Sequence, residues 1–563
     1  MTHGEILQNR VTSSIEPLES RIAPAVFMVT SLKDDGSAGT LRSEILLAAN
    51  KPGANTITFA HNLNGVVKLT TGSLSIVSNL TIDGPGANRI IIDGQDMDRV
   101  FEMSDVSVRL NGLAIVDGAT NGNGGAIYSD GALSITNCVI SGSVASEAGG
   151  GICDNGPGPF LLANSFVTGN STSGSNINGG GVFADVAKGA SVIGSKIIGN
   201  TATGSGGGLA LYEHSVNTGK LTISGSVISG NASQVSGGGA ALFDYSTAGG
   251  QIAISSSTFF GNTAPNEGGG IYLVNESARP ASLKGLVVSG NSGLDGGGGL
   301  AATGTNAAVI QTSLFSGNTT SSYGGGISSA GNHSLTIQGS KITDNSADNG
   351  GGIGISFTAG SLTLVASVVA ENHSYNSGGG LFTLSTSGVT TIIGSTIANN
   401  TSTAPHEGSA GGALIGGGGR ILIQSTSVTG NLANNGDGGG LDFDSSSTSI
   451  LLSGDRIAGN VVSNSSFRGG GIYMEATGPF TILGGSINGN ESGGDGGGIF
   501  VSPLTGGLIK GVSIIGNASG GAGGGFADPL SVATVHITKP ALITGNVAAS
   551  ITHPNTYGIF ETP

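Results

Sequence analysis

Apolar positions recur along this chain on a schedule set by a series of asparagines. The asparagines stand at 170, 200, 231, 262, 291, 318, 345, 372, 400, 431, 460, 490, 517 and 546, at intervals of 27 to 31 residues. Three positions before them stand Ile197, Ile228, Phe259, Val288, Phe315 and their successors. Five before stand Ser195, Ser226, Ser257 and Ser313, with Cys138 in the same slot earlier, and eight before stand Ile223, Ile254, Leu283 and Ile310. Steps of two within each cluster predict strands with one buried face. Between Gly124 and Gly525 the chain also writes Gly-Gly-Gly or Gly-Gly-Ala fifteen times, each followed by an apolar residue.

Together these positions predict three short strands per repeat of about 29 residues. A fixed period of this size marks a solenoid, in which each repeat buries its apolar face against its neighbours. The expected fold is all-β, a single-stranded right-handed parallel β-helix. A helical solenoid is excluded, because a Gly triplet inside a helix costs roughly 1 kcal/mol per Gly relative to Ala and no 3.6-residue period exists. The triplets predict a turn with positive φ, or a corner where a Cβ would strike the next coil. The Asn is expected in a neighbouring turn, in the left-handed region, with side chains hydrogen-bonding from coil to coil. That ladder includes Asn200, Asn231, Asn262, Asn318, Asn431, Asn460, Asn490 and Asn517. Thr40 to Asn50 reads as a short helix suited to cap the first coil's open edges.

Four regions follow: a targeting-like segment 1–26, a cap with the first coils 27–99, repeats 100–546, and a C-terminal cap or tail 547–563. Segment 1–26 lacks the apolar core of an ordinary secretory signal. Gly makes up 106 of 563 residues without falling on every third position, which excludes collagen. The net charge of −15 argues against nucleic acid and anionic membranes as partners. No run of 18 apolar residues exists to form a spanning helix. Cys138 and Cys153 are too few for a disulfide framework, and their expected opposite faces predict free thiols.

Gly124-Gly125-Ala126-Ile127, Gly411-Gly412-Ala413-Leu414, Phe259 to Asn262 and Phe315 to Asn318 resemble the repeats of polymorphic outer-membrane proteins, whose signature is Gly-Gly-Ala-Ile beside Phe-x-x-Asn. The segment Val29-Thr30-Ser31 through Gly39-Thr40-Leu41-Arg42 to Phe59, with Gly84-Pro85-Gly86-Ala87, resembles the N-terminal cap of bacterial surface β-helix proteins. Leu18-Glu19-Ser20-Arg21 resembles a short motif near the start of secreted proteins in planctomycete-type bacteria. These resemblances imply a bacterial cell-surface or secreted protein, often adhesive. The translocator barrel of that family has no counterpart in residues 547–563, so autotransport is not carried over.

Polysaccharide lyases and polygalacturonases share this architecture, and they need carboxylates focused with Arg or Lys. The paired Asp34-Asp35 lies in the cap. The best local cluster is Asp437, Asp442 and Asp444, a weak metal-site candidate expected to be solvated carboxylates on a strand. The eight histidines share no spacing and no paired Asp, and are expected in loops. Asp437, Arg468 and Asp495 occupy one slot in consecutive coils and predict an alternating charge ladder. Tyr128, Phe183, Tyr272, Phe382, Tyr473 and Phe500, each two after a triplet, predict an exposed stripe for contact or for mutual stacking. No catalytic residue, metal or cofactor is assigned. The favoured function is a non-enzymatic adhesin, spacer or envelope component, with a polysaccharide or cell-surface protein as partner and lateral self-association open. A carbohydrate-active β-helix is the alternative.

Overall fold

The computed structural model describes residues 24–563, apart from 215–218, 248, 358–359, 386, 404–407, 445–448, 476–477, 503–505, 529–533, 539–540, 550–555, 559 and 562–563. Leu18-Glu19-Ser20-Arg21 with the rest of segment 1–23, His406-Glu407, His553 and part of the expected tail lie outside these residues. The chain winds into an all-β parallel solenoid of about 18 turns of about 28 residues. At a strand spacing of about 4.8 Å this makes a rod of roughly 85 Å.

One coil shows how the sequence pattern becomes structure. After the triplet Gly179–Gly181, strand Val182–Asp185 enters the first sheet, Ala190–Ile193 the second and Lys196–Ile198 the third. Each strand pairs in parallel with its equivalent one coil on: Val182 with Leu209, Ala190 with Leu221, Lys196 with Val227. A two-residue fourth strand, Thr201–Ala202, also stacks, so many coils have a short fourth side beyond the three predicted. The side chains between the sheets form one continuous apolar core, from Val29 in the first strand to Ile537.

Two-residue corners separate the second, third and fourth strands. At Gly194-Ser195 and Gly199-Asn200 the first residue is left-handed (φ 57° and 64°), and the second turns inward. The asparagine itself is therefore not the left-handed residue, contrary to expectation. Its predecessor takes that role even where it is not Gly, as at Asp344, Glu371 and Asn399.

Both explanations offered for the triplets hold, at different glycines. Gly206 has φ 72°. At Gly181 φ is ordinary, but a Cβ would lie 2.7 Å from the Gly208 carbonyl oxygen and 3.0 Å from Asn200 Cγ. The third glycine thus makes room for the asparagine that closes its own coil. Register shows one triplet to be misread: Ala410-Gly411-Gly412 is the structural triplet, so Ala413 faces the core opposite Leu381, and Leu414 points outward.

The one helix among the described residues runs from Leu41 to Ala49, with Thr40 as N-cap and Asn50 as C-cap. Arg42 ties it to the first coils through Asp34 (Nε–Oδ1 2.8 Å) and the carbonyls of Gly72 and Ser73. Burial pushes the Asp34 carboxyl up, but Arg42 and the Thr70 and Thr71 amides outweigh it and hold it below the usual range.

Candidate functional site

The inward-facing asparagines form an unbroken column from Asn170 to Asn546, none more than 5% exposed. Oδ1 of Asn200 accepts from both the backbone N–H and the side-chain amide of Asn170, each at 3.0 Å. Nδ2 of Asn200 donates back to the Val167 carbonyl and forward to Asn231 Oδ1, both at 3.0 Å. Both protons and both lone-pair directions of the amide are used, so burial leaves nothing unpaired. The same pattern repeats through Asn262, Asn318, Asn431, Asn460, Asn490 and Asn517. A parallel hydroxyl column fills the other corner: the backbone N–H groups of Ser165, Ser195 and Ser226 each donate to the next serine's Oγ. It is interrupted at Leu286, resumes at Ser313, and passes through Ser395 and Thr426 to Asp455, whose Oδ1 accepts from Thr426 N–H at 2.8 Å. The amides and hydroxyls of these two columns are spent on one another, which turns attention to the outer faces.

The aromatic stripe is less exposed than the sequence suggests. Phe382, Tyr473 and Phe500 are buried, and Tyr473 stacks on Phe500 at 5.4 Å and 5°. Two further ring stacks, not recognised in the sequence, lie beside it: Tyr212 stacks on Phe243 at 4.4 Å, and His214 on Tyr245 at 5.2 Å. These rings present their faces to one another along the axis, which makes them packing elements. Cys153 lies in the first column between Tyr128 and Phe183, while Cys138 faces the core. Both thiols are free and buried, and burial raises both.

The remaining candidates separate. Asp442 is buried, between Leu414 and Tyr473 in the first-sheet column, and is not the solvated carboxylate expected. Asp444 lies two residues on, and Asp437 pairs through its backbone with Ser409. Among the described residues no group of three His, Cys, Asp or Glu side chains is arranged to hold a metal ion. In the proposed charge ladder, the Arg468 backbone N–H donates to Asp437 Oδ1, while its guanidinium lies 4.9 Å from the Phe500 ring centre. The side chain therefore packs on an aromatic face rather than lying simply between two carboxylates. The histidines are also more varied than expected. His214 Nδ1 meets Asp185 Oδ1 at 3.0 Å, His373 and His536 lie in strands, and His333 is buried between Ser329 Oγ (2.8 Å) and the Gly304 carbonyl.

The most site-like feature is a groove of about 680 Å³ over the outer face of the second sheet, lined by Arg109, Lys188 and Lys220. It crosses five stacked strands: Ser107–Asn111, Ala132–Thr136, Phe160–Ala163, Ala190–Ile193 and Lys220–Ser224. Strict register places one outward residue per coil along its floor, in the order Arg109, Ser134, Leu161, Ser191, Thr222. Pro159 and the Lys188 turn line the margin where the strands begin. All three cations are exposed, and none makes an ion pair among the described residues. A smaller hollow of about 290 Å³ adjoins it, sharing Ser107, Ala132 and Lys188 and adding Asp105 and Asp130. Sequence reading missed these cations, because Lys188 lies in a turn and the intervals between them follow no single spacing. Aligning the second-sheet strands coil by coil is the signal that would have found Arg109 and Lys220.

No protein-family model matches the chain, and no curated protein matches it. Among solved structures it is similar to a PL6 family alginate lyase, AlyGC, at 11% identity and a TM-score of 0.29, over 93% of this chain and 100% of that one.

Proposed function

We propose that this protein is a non-enzymatic, secreted or surface-exposed β-helix that holds an anionic polymer of its surroundings in the groove over the second sheet. The observation that carries the reading is that Arg109, Lys188 and Lys220 line one groove, exposed and without ion pairs among the described residues, in a chain of net charge −15. Cations with no partner of their own, set along one groove, offer an extended anion complementary charge at more than one point. The likeness to polymorphic outer-membrane-protein repeats supports a surface location and an adhesive or spacing role. A rod whose buried asparagine column is paired coil to coil suits a part that must stay extended.

The test is binding of the intact chain to immobilised dextran sulfate across a salt series. Retention that weakens steeply with salt, and is lost in the Lys188→Gln/Lys220→Gln double variant, supports the reading; salt-insensitive retention or none sinks it. A second reading, a carbohydrate-active enzyme, is favoured by Asp105 and Asp130, carboxylates from neighbouring coils beside Lys188. Release of unsaturated products or new reducing ends from acidic polysaccharides, with and without Ca²⁺, would establish it.

A further inference from the structure

We infer that the groove takes a linear uronic-acid polysaccharide lying along the rod axis, with about one sugar unit over each coil. This rests on the groove being the anion-binding face proposed above. The floor is periodic: Arg109, Ser134, Leu161, Ser191 and Thr222 succeed one another at one residue per strand. Strands about 4.8 Å apart make this a track of roughly 19 Å across four intervals. A 1,4-linked pyranose chain advances by about one strand spacing per ring, so each ring meets its own coil.

The side chains fit carboxylated sugar better than a denser polyanion. Positive charge stands at the two ends of the track, Arg109 at one and Lys188 with Lys220 at the other, with uncharged residues between. Duplex nucleic acid carries a charge every ~1.7 Å, far more than three cations can match across this length. A uronic acid carries one carboxylate per ring, several hydroxyls and a C–H face. The Arg109 guanidinium can take a carboxylate through two N–H groups, and the lysines act as point charges. Ser134, Ser191 and Thr222 offer hydroxyl partners, and Leu161 with Pro159 offers the apolar patch on which a ring's C–H face can lie.

The experiment is calorimetric titration of the full chain with oligogalacturonates from dimer to hexamer, beside their methyl esters and a sulfated heparin oligosaccharide. Affinity should rise with length to about the pentamer and then level off, since the track ends after five coils, and the esters should not bind. Arg109→Gln and the Lys188→Gln/Lys220→Gln pair should each weaken pentamer binding about ten-fold, with an unchanged urea midpoint showing that the rod is intact. Ester binding equal to that of the acid, or affinity independent of length, overturns the inference. Binding of the sulfated oligosaccharide alone, lost in the same variants, keeps the anion groove and refutes the uronate. Binding of neither refutes both.

Discussion

The side-chain amide of Asn318 donates at 2.9 Å to Oδ1 of Asn345 one coil ahead, and at 2.9 Å to the carbonyl of Val288 one coil behind. Both donors are buried, so the geometry predicts an asymmetric response to substitution. Asn318→Ala takes the donor from the Val288 carbonyl and the acceptor from the Asn291 N–H and Nδ2, and should cost about 1–3 kcal/mol. Asn318→Asp should cost more, because a carboxylate has no proton to donate and would face Asn345 Oδ1 directly. Urea midpoints of the two variants, with amide exchange at the neighbouring coils, check the order; equal midpoints would count against it.

Ala410 occupies the position that is Gly in the other triplets and has φ 52°. Replacing it with Gly should stabilise the rod by about 1 kcal/mol, the scale of the left-handed penalty for a residue with a Cβ. Gly181→Ala should do the reverse despite its ordinary φ, since its Cβ would press on Asn200 and the Gly208 carbonyl. Thermal midpoints moving in opposite directions are the expected result.

Burial raises the Asp455 carboxyl to about 6 from 3.8, against the opposing pull of the Thr426 and Ser453 amides. The unfolded chain gives up this proton first, so stability falls as pH rises from about 4 to about 6 and stays lower above. Two units correspond to roughly 3 kcal/mol. Asp455→Ser restores the hydroxyl found in this slot elsewhere and should remove this part of the decline. Urea midpoints across that pH window in both proteins test the sign.

Neither thiol should react with a bulky disulfide reagent in the folded rod, and both should react once it is unfolded. Cys138 lies in the core, and Cys153 is 1% exposed between the Tyr128 and Phe183 coils. Rapid labelling of Cys153 under native conditions would show that its coil opens.

The period-two clusters around Ile197, Ser195 and Asn200 carried the solenoid in plain view, because parallel stacking requires each coil to repeat its inward residues. The left-handed residue was harder to see: Gly199 and Asn200 are neighbours, and only backbone angles tell which one bends. Ala413 was misread for a similar reason, since Ala410 stands in for a glycine and shifts the apparent triplet by one. The groove was not legible. Its cations come from two strands and a turn of differing spacing, and outward positions carry no periodic constraint from the core. The burial of Asp442 was equally hidden, since it depends on Leu414 and Tyr473 in the coils on either side.

The asparagine column has a sense of direction. When the coil bearing Asn200 arrives, its side chain accepts two hydrogen bonds already offered by Asn170 and donates one to Val167. It then leaves its own N–H and amide pointing toward a coil that does not yet exist, the one bearing Asn231. Each finished turn is thus a template with vacant donors facing the C-terminal side, the side from which a growing chain supplies the next turn. A rod built this way can elongate in the order in which it is synthesised, with every new coil capping the last and priming its successor.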